Sequence, residues 1–166
     1  MADKRYILNK DVAAQKMQRM ALEIAEQLDG NTAELILIGV KSSGMVIAEK
    51  IGELLKQYIS FPVTIIGLSL DKHLPKEIVL SETGINFNDK NIIIVDDVSN
   101  SGKVLLYALQ PLLAFHPKRI QTLVLVERMH KLFPVKSDYI GLTIATTLED
   151  HIQVEVENGE VIGAFI

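Results

Sequence analysis

At 166 residues, 48% hydrophobic and 23% charged, the chain is expected to be one globular domain that buries a core of its own. The absence of cysteine excludes a disulfide framework, a thiolate metal site and a cysteine nucleophile, and a net charge of −4 argues against a general nucleic-acid-binding surface. The opening Met1-Ala2-Asp3-Lys4-Arg5-Tyr6 carries no apolar signal segment and no apolar run reaches membrane-span length, so a cytoplasmic location is expected.

Asn9 is placed to cap a helix, with Asp11 in its first turn and Ala13, Met17, Met20, Ala21, Ile24 and Leu28 at helical spacing up to Gly30. Glu34 to Val40 reads as a buried strand that runs into Lys41-Ser42-Ser43-Gly44. A second helix follows, with Ile47, Ile51, Leu54, Leu55 and Tyr58 on its apolar face. Pro62 to Leu70 is the next predicted strand. Residues 71–90 are polar over most of their length, and a connection that long in a compact domain reads as a lid or a disordered loop, with Ile78-Val79-Leu80 as one arm of a hairpin.

Asn91 to Val98 contains four β-branched residues in a row and reads as the centre of a parallel sheet. Asp96 and Asp97 stand at its C-terminal end, the turn Ser99-Asn100-Ser101-Gly102-Lys103 follows, and a helix is predicted from Gly102 to Phe115, with Pro111 as a candidate kink. Arg119 to Val126 is a further buried strand, leading into Glu127-Arg128-Met129-His130-Lys131. Near the C terminus, Ile152, Val154 and Val156 alternate with polar residues, and Asn158-Gly159 signals a tight hairpin turn back through Val161 to Phe165.

The chemistry concentrates in the central stretch. Ligands of open α/β sheets bind outside the carboxyl ends of the strands. A small-residue turn entering a helix aims backbone N–H groups at an anion, and the helix dipole favours it further. An acid pair beside such a turn suits a ligand with hydroxyls or a metal next to a phosphate, as in a sugar phosphate. The alternative from these residues is an acid pair that caps a helix or binds Mg²⁺ in another doubly wound fold, such as a receiver domain. Receivers carry their paired acids after the first strand, whereas these follow roughly the third.

Ile92-Ile93-Ile94-Val95-Asp96-Asp97-Val98, two residues, then Ser101-Gly102 resembles the ribose-phosphate signature of the type I phosphoribosyltransferases. Gly39-Val40-Lys41-Ser42-Ser43-Gly44 and the run from Glu127 to Gly141 resemble the bacterial pyrimidine-operon attenuators, which are also uracil phosphoribosyltransferases. The resemblance implies a doubly wound parallel sheet with a small hood and a C-terminal hairpin at about 151–166. It implies that Asp96 and Asp97 hold the ribose hydroxyls of phosphoribosyl diphosphate and reach Mg²⁺ through water, and that Val98, Ser99, Asn100, Ser101, Gly102 and Lys103 wrap the 5′-phosphate. Lys41, Ser42, Ser43 and Gly44 correspond to the diphosphate loop, in which some members have a non-proline cis peptide. Arg128, Tyr139 and Ile140 fall in the base-pocket segment, and Lys72, His73 and Lys76 in the hood. A homodimer is also implied.

The sequence departs from the family pattern in places. Val104 stands where a hydroxyl residue is usual, Ser43 where attenuator-like members carry an arginine, and Ser69-Leu70 where they carry a Tyr-Arg pair. Asn100 occupies a position that is aspartate in relatives acting on 6-oxopurines. An amide is no base at neutral pH, which favours a pyrimidine-like acceptor. Two function classes are expected: a phosphoribosyltransferase acting on a base such as uracil, and a non-catalytic nucleotide- or phosphoribosyl-diphosphate-binding regulator on the same fold, with RNA binding the weakest option.

Overall fold

The protein is described from a computed structural model covering residues 3–30, 33–75, 77–145 and 150–166. Lys76, one of the three hood residues, lies outside the described residues. Among the described residues, nine strands and three α-helices follow in chain order: β1 (Tyr6–Leu8), α1 (Lys10–Gln27), β2 (Leu35–Val40), α2 (Ser43–Leu55), β3 (Val63–Ser69), β4 (Val79–Leu80), β5 (Asn91–Ser99), α3 (Lys103–Ala108), β6 (Arg119–Arg128), β7 (Tyr139–Ile144), β8 (Gln153–Glu157) and β9 (Glu160–Phe165).

Six strands form the main sheet in the order β4-β3-β2-β5-β6-β7, parallel throughout except for β4 at the edge. Alternation along the central strands feeds two cores. Leu35, Leu37, Ile93, Val95, Leu123 and Leu125 pack with α1 and α2 on one face, while Ile36, Ile38, Ile92, Ile94 and Val124 pack with α3 and Phe87 on the other. A run of consecutive apolar residues in one strand is therefore the signature of burial on both faces. This is the doubly wound parallel sheet expected from the sequence, and the loops at Lys41, Asp96 and Glu127 all leave it at one edge.

Local signals account for most of the elements. The Asn9 Oδ1 accepts the Val12 N–H at 2.9 Å, capping α1. Asn158 and Gly159, both with positive φ, make the hairpin turn between β8 and β9. That hairpin recruits β1 into a separate three-stranded sheet, and Ile152, Val154, Val161 and Ala164 pack it onto the α1/α2 core.

Two expectations are corrected. The helix after the acid pair is only Lys103–Ala108. Pro111 lies in a separate 3-10 turn, Gln110–Leu112, because its ring cannot continue an α-helix. The connection over 71–90 is not uniformly loose either. Its second half packs on the sheet through β4 and through Phe87, which is 2% exposed and meets Phe115 edge-on at 5.3 Å.

Candidate active site

β5 delivers the acid pair. Asp96 is 1% exposed and the Asp97 side chain 16%. The Asp97 N–H donates to Asp96 Oδ1 and the Val98 N–H to Asp97 Oδ1, each at 2.8 Å, so both carboxylates are held by the backbone that follows them. Lys72, from the loop after β3, reaches both Oδ1 atoms at 3.4 and 3.5 Å. Burial pushes the Asp96 carboxyl well above the usual aspartate range, and the neighbouring Asp97 charge pushes the same way, while Lys72 pulls it back down. For Lys72 itself burial disfavours the ammonium, but the two carboxylates outweigh it and its pKa is raised.

The turn after β5 is braced from behind. Gly102 has φ +86, and a Cβ there would come within 3.1 Å of the Phe133 carbonyl and 3.3 Å of that of Val135, so the position requires glycine twice over. The Ser101 carbonyl accepts the N–H groups of Leu132 and Phe133, both at 3.0 Å. The segment making these contacts folds around Glu127, which is 1% exposed, paired with Lys131 at 3.0 Å and accepting the Ser137 N–H at 2.9 Å. Sequence reasoning placed Glu127 and Lys131 at the ligand edge but missed this brace, because a buried acid pairing four residues on looks like an exposed one.

Lys72, His73, Asp96, Asp97 and the whole turn from Val98 to Lys103 line a cavity of about 330 Å³, joined by Val104, Leu105 and Ile152. Lys103 Nζ donates to the His73 carbonyl at 3.4 Å, tying the loop after β3 to the turn. The buried Ser99 hydroxyl has no partner among the described residues. Ile152 was legible only as part of the hairpin alternation; its place over the cavity comes from the packing of the second sheet.

The Lys41–Gly44 loop stands at the same sheet edge but outside that cavity's lining. The Lys41-Ser42 peptide is cis. The Lys41 side chain lies across Gly67 of β3, where a Cβ would fall 2.6 Å from its Cε. Gly44 has a different reason for being glycine: a Cβ there would sit 2.7 Å from the Val95 carbonyl and 3.0 Å from the Asp96 Cα. The first turn of α2 is thereby seated directly behind the acid pair.

Of the three base-pocket residues, the structure brings one to the site. Arg128 ends β6, is 7% exposed, donates from Nε to Asn100 Oδ1 at 2.8 Å, and donates from Nη2 to the Asp150 carbonyl. Tyr139 and Ile140 are a correction. β7 pairs Tyr139 with Leu123, five residues before Arg128, or roughly 17 Å back along the strand from the ligand edge. The hydroxyl of the fully buried Tyr139 lies in hydrogen-bond contact with the side chains of both Gln27 and Gln121, at 2.9 Å each, and burial pushes its pKa up to about 12. Ile140 pairs with Val124, and its carbonyl accepts from Arg19 of α1.

Comparison with known proteins bears on the family and the fold. A family model described as "Phosphoribosyl transferase domain" matches residues 6–158. The curated "Bifunctional protein PyrR" of Ligilactobacillus salivarius is 34% identical over 152 residues, covering 85% of each chain. Its counterpart from Enterococcus faecalis is 30% identical over 162 residues, covering 93% of this chain and 90% of its own. Among solved structures, a Trypanosoma cruzi hypoxanthine phosphoribosyltransferase in a ternary substrates complex superposes with a TM-score of 0.78 at 15% identity, covering 98% of this chain and 95% of that one. A Bacillus anthracis hypoxanthine-guanine phosphoribosyltransferase does so with a TM-score of 0.74 at 20% identity, covering 97% of both. At those identities the two structures speak to the fold alone, while the match over nearly the whole chain and the relatives at 30% identity or more decide the lineage. The chain belongs to the type I phosphoribosyltransferase family, in which the PyrR bifunctional proteins are among its relatives.

Proposed function

We propose that the protein transfers ribose 5-phosphate from phosphoribosyl diphosphate to a pyrimidine-like base, uracil foremost, with Mg²⁺ carried by the substrate, and that it works as a cytoplasmic homodimer. The observation that carries this reading is one cavity lined by a backbone-held acid pair and by a glycine turn entering a helix. Asp96 and Asp97 accept hydrogen bonds from the ribose hydroxyls. The turn holds the 5′-phosphate through its N–H groups and the Ser101 hydroxyl.

Among the described residues no group of three or more His, Asp or Glu side chains could hold a metal ion. Two carboxylates alone do fit Mg²⁺, which keeps several waters and takes its other oxygens from substrate. Bound there, the ion would offset the charge on the departing diphosphate. The rest of the work falls to the chain. Transfer passes through an oxocarbenium-like ribosyl cation, and the anionic acid pair beside the ribose favours that charge. Diphosphate is received on the β2 side, where Lys41 to Gly44 meet the N terminus of α2. Ile152 and the His73 loop limit access of water.

The test is diphosphate release from phosphoribosyl diphosphate and Mg²⁺ against a panel of bases. Release that requires a base, and is greatest with uracil, is expected. No release with any base would overturn the catalytic reading.

Lys72 supplies a further check. It lowers the Asp96 pKa, so Lys72→Met lets that pKa rise further. Ribose 5-phosphate binding needs the charged carboxylate, and its acid limb should therefore move to higher pH in the variant. Titration calorimetry from acid to neutral pH that finds the limb unmoved would show that Lys72 does not hold the acid pair in its charged state.

A further inference from the structure

The acid pair comes with a cation from its own chain. Lys72 Nζ stands between Asp96 Oδ1 and Asp97 Oδ1, at 3.4 and 3.5 Å. Adjacent carboxylates buried this far are costly unless an opposite charge is near. The loop holds Lys72 in place: Asp71 Oδ1 accepts the N–H groups of His73 and Leu74 at 2.9 and 3.3 Å, and the His73 carbonyl accepts Lys103 Nζ at 3.4 Å. Yet the ammonium contact itself is loose. Charge-assisted N–H···O bonds run to about 2.7–2.9 Å, and the Lys72 side chain is 42% exposed. The Lys131–Glu127 pair is the contrast, at 3.0 Å with the Lys131 side chain only 13% exposed. That pair is sealed into the fold, whereas Lys72 can leave.

We propose that Lys72 is a displaceable internal counter-ion that makes the acid pair selective for metal carried by an anionic sugar diphosphate over the bare divalent ion. This rests on the phosphoribosyl-transfer reading, in which Asp96 and Asp97 meet Mg²⁺ together with substrate. In the free protein the ammonium holds the ground between the carboxylates that a divalent ion would take, and like charges at this range repel. A bare ion is therefore opposed. The same ion on phosphoribosyl diphosphate arrives inside a net anion, because phosphate and diphosphate together outweigh its charge. Lys72 then gives up the carboxylates to the metal and gains an anionic partner in exchange, since it lines the same cavity as the phosphate turn. The acids are never left without a cation, and free metal does not fill the site ahead of the sugar.

Two probes test this without turnover: Mn²⁺ alone, followed by the paramagnetic resonance signal of the free ion, and magnesium phosphoribosyl diphosphate, followed by calorimetry. Lys72→Met should bind Mn²⁺ about tenfold or more tighter than the wild type, the scale of one charge at this distance. The same variant should bind magnesium phosphoribosyl diphosphate more weakly. Lys72→Arg keeps the charge and should match the wild type with both probes. Adding Asp96→Asn and Asp97→Asn to Lys72→Met should abolish the gain for Mn²⁺, which places the metal on the acids. A lysine with a merely structural role would not move the two affinities in opposite directions. Lys72→Met that gains nothing for Mn²⁺, that shifts both affinities the same way, or whose gain survives loss of the acids would overturn the proposal. Wild type that binds no phosphoribosyl diphosphate would overturn the phosphoribosyl-transfer reading and the selectivity with it, and the Mn²⁺ arm, which needs no sugar, tells the two failures apart.

Discussion

Replacing Asp96 and Asp97 together with asparagine should weaken ribose 5-phosphate binding by about a hundredfold or more and at the same time make the protein harder to unfold. The first effect follows from the loss of hydrogen bonds to charged acceptors, each worth about 1.5–3 kcal/mol. The second follows from burial. Asp96 is 1% exposed and its pKa is raised, so the folded state binds that proton more tightly than the unfolded chain does. The stability linked to Asp96 is therefore present at low pH and is lost as pH rises from the ordinary aspartate range to the raised folded value. An asparagine side chain in place of Asp96 can still accept the Asp97 backbone N–H, which the native carboxylate does at 2.8 Å, and it carries no charge to desolvate. The variant's advantage in melting temperature should be absent below about pH 4, the ordinary aspartate range. It should grow toward neutral pH, by roughly 2–4 °C per kcal/mol for a domain of this size. Calorimetry and thermal unfolding on the same samples check both halves. Intact binding refutes the role of the acids, and a variant less stable at neutral pH refutes the cost assigned to their burial.

The second large effect is expected at the diphosphate loop. Ser43 opens α2 directly behind the acid pair, since Gly44 packs against Val95 and Asp96. The resemblance noted from the sequence implies an arginine at this place, and removing one donor aimed at developing charge costs on the order of a hundredfold in rate. Uracil transfer by the wild type should accordingly be slow, and Ser43→Arg should raise kcat by a comparable factor while leaving ribose 5-phosphate affinity nearly unchanged. Steady-state release of diphosphate measures this. A wild-type rate of about 10 per second, common among enzymes, and indifferent to Ser43→Arg, would contradict it.

What could be read in the sequence was what short stretches dictate by themselves. Ile92 to Val95 announce a strand buried on both faces, Asn9 announces a helix start, and Asn158-Gly159 announces a hairpin. The acids at the end of β5 and the glycine turn after them needed no structure to be placed at the ligand edge. Tyr6–Leu8 could not be seen, because three residues become a strand only by pairing with Phe165 and Ala164 at the other end of the chain. Tyr139 failed for a related reason. Its loop lies near the site in sequence, but parallel pairing with β6 carries it back beside Leu123, and no local pattern reports register. The Glu127 brace and the Arg128–Asn100 contact likewise depend on which strands are neighbours.

The central claim is tested most directly by a crystal structure of the protein with ribose 5-phosphate. The expected result has the phosphate within hydrogen-bond distance of the backbone amides of the turn from Ser99 to Lys103, and the ribose hydroxyls on Asp96 and Asp97. A sugar phosphate seated elsewhere, or one that reaches the turn but leaves both carboxylates untouched, would contradict it.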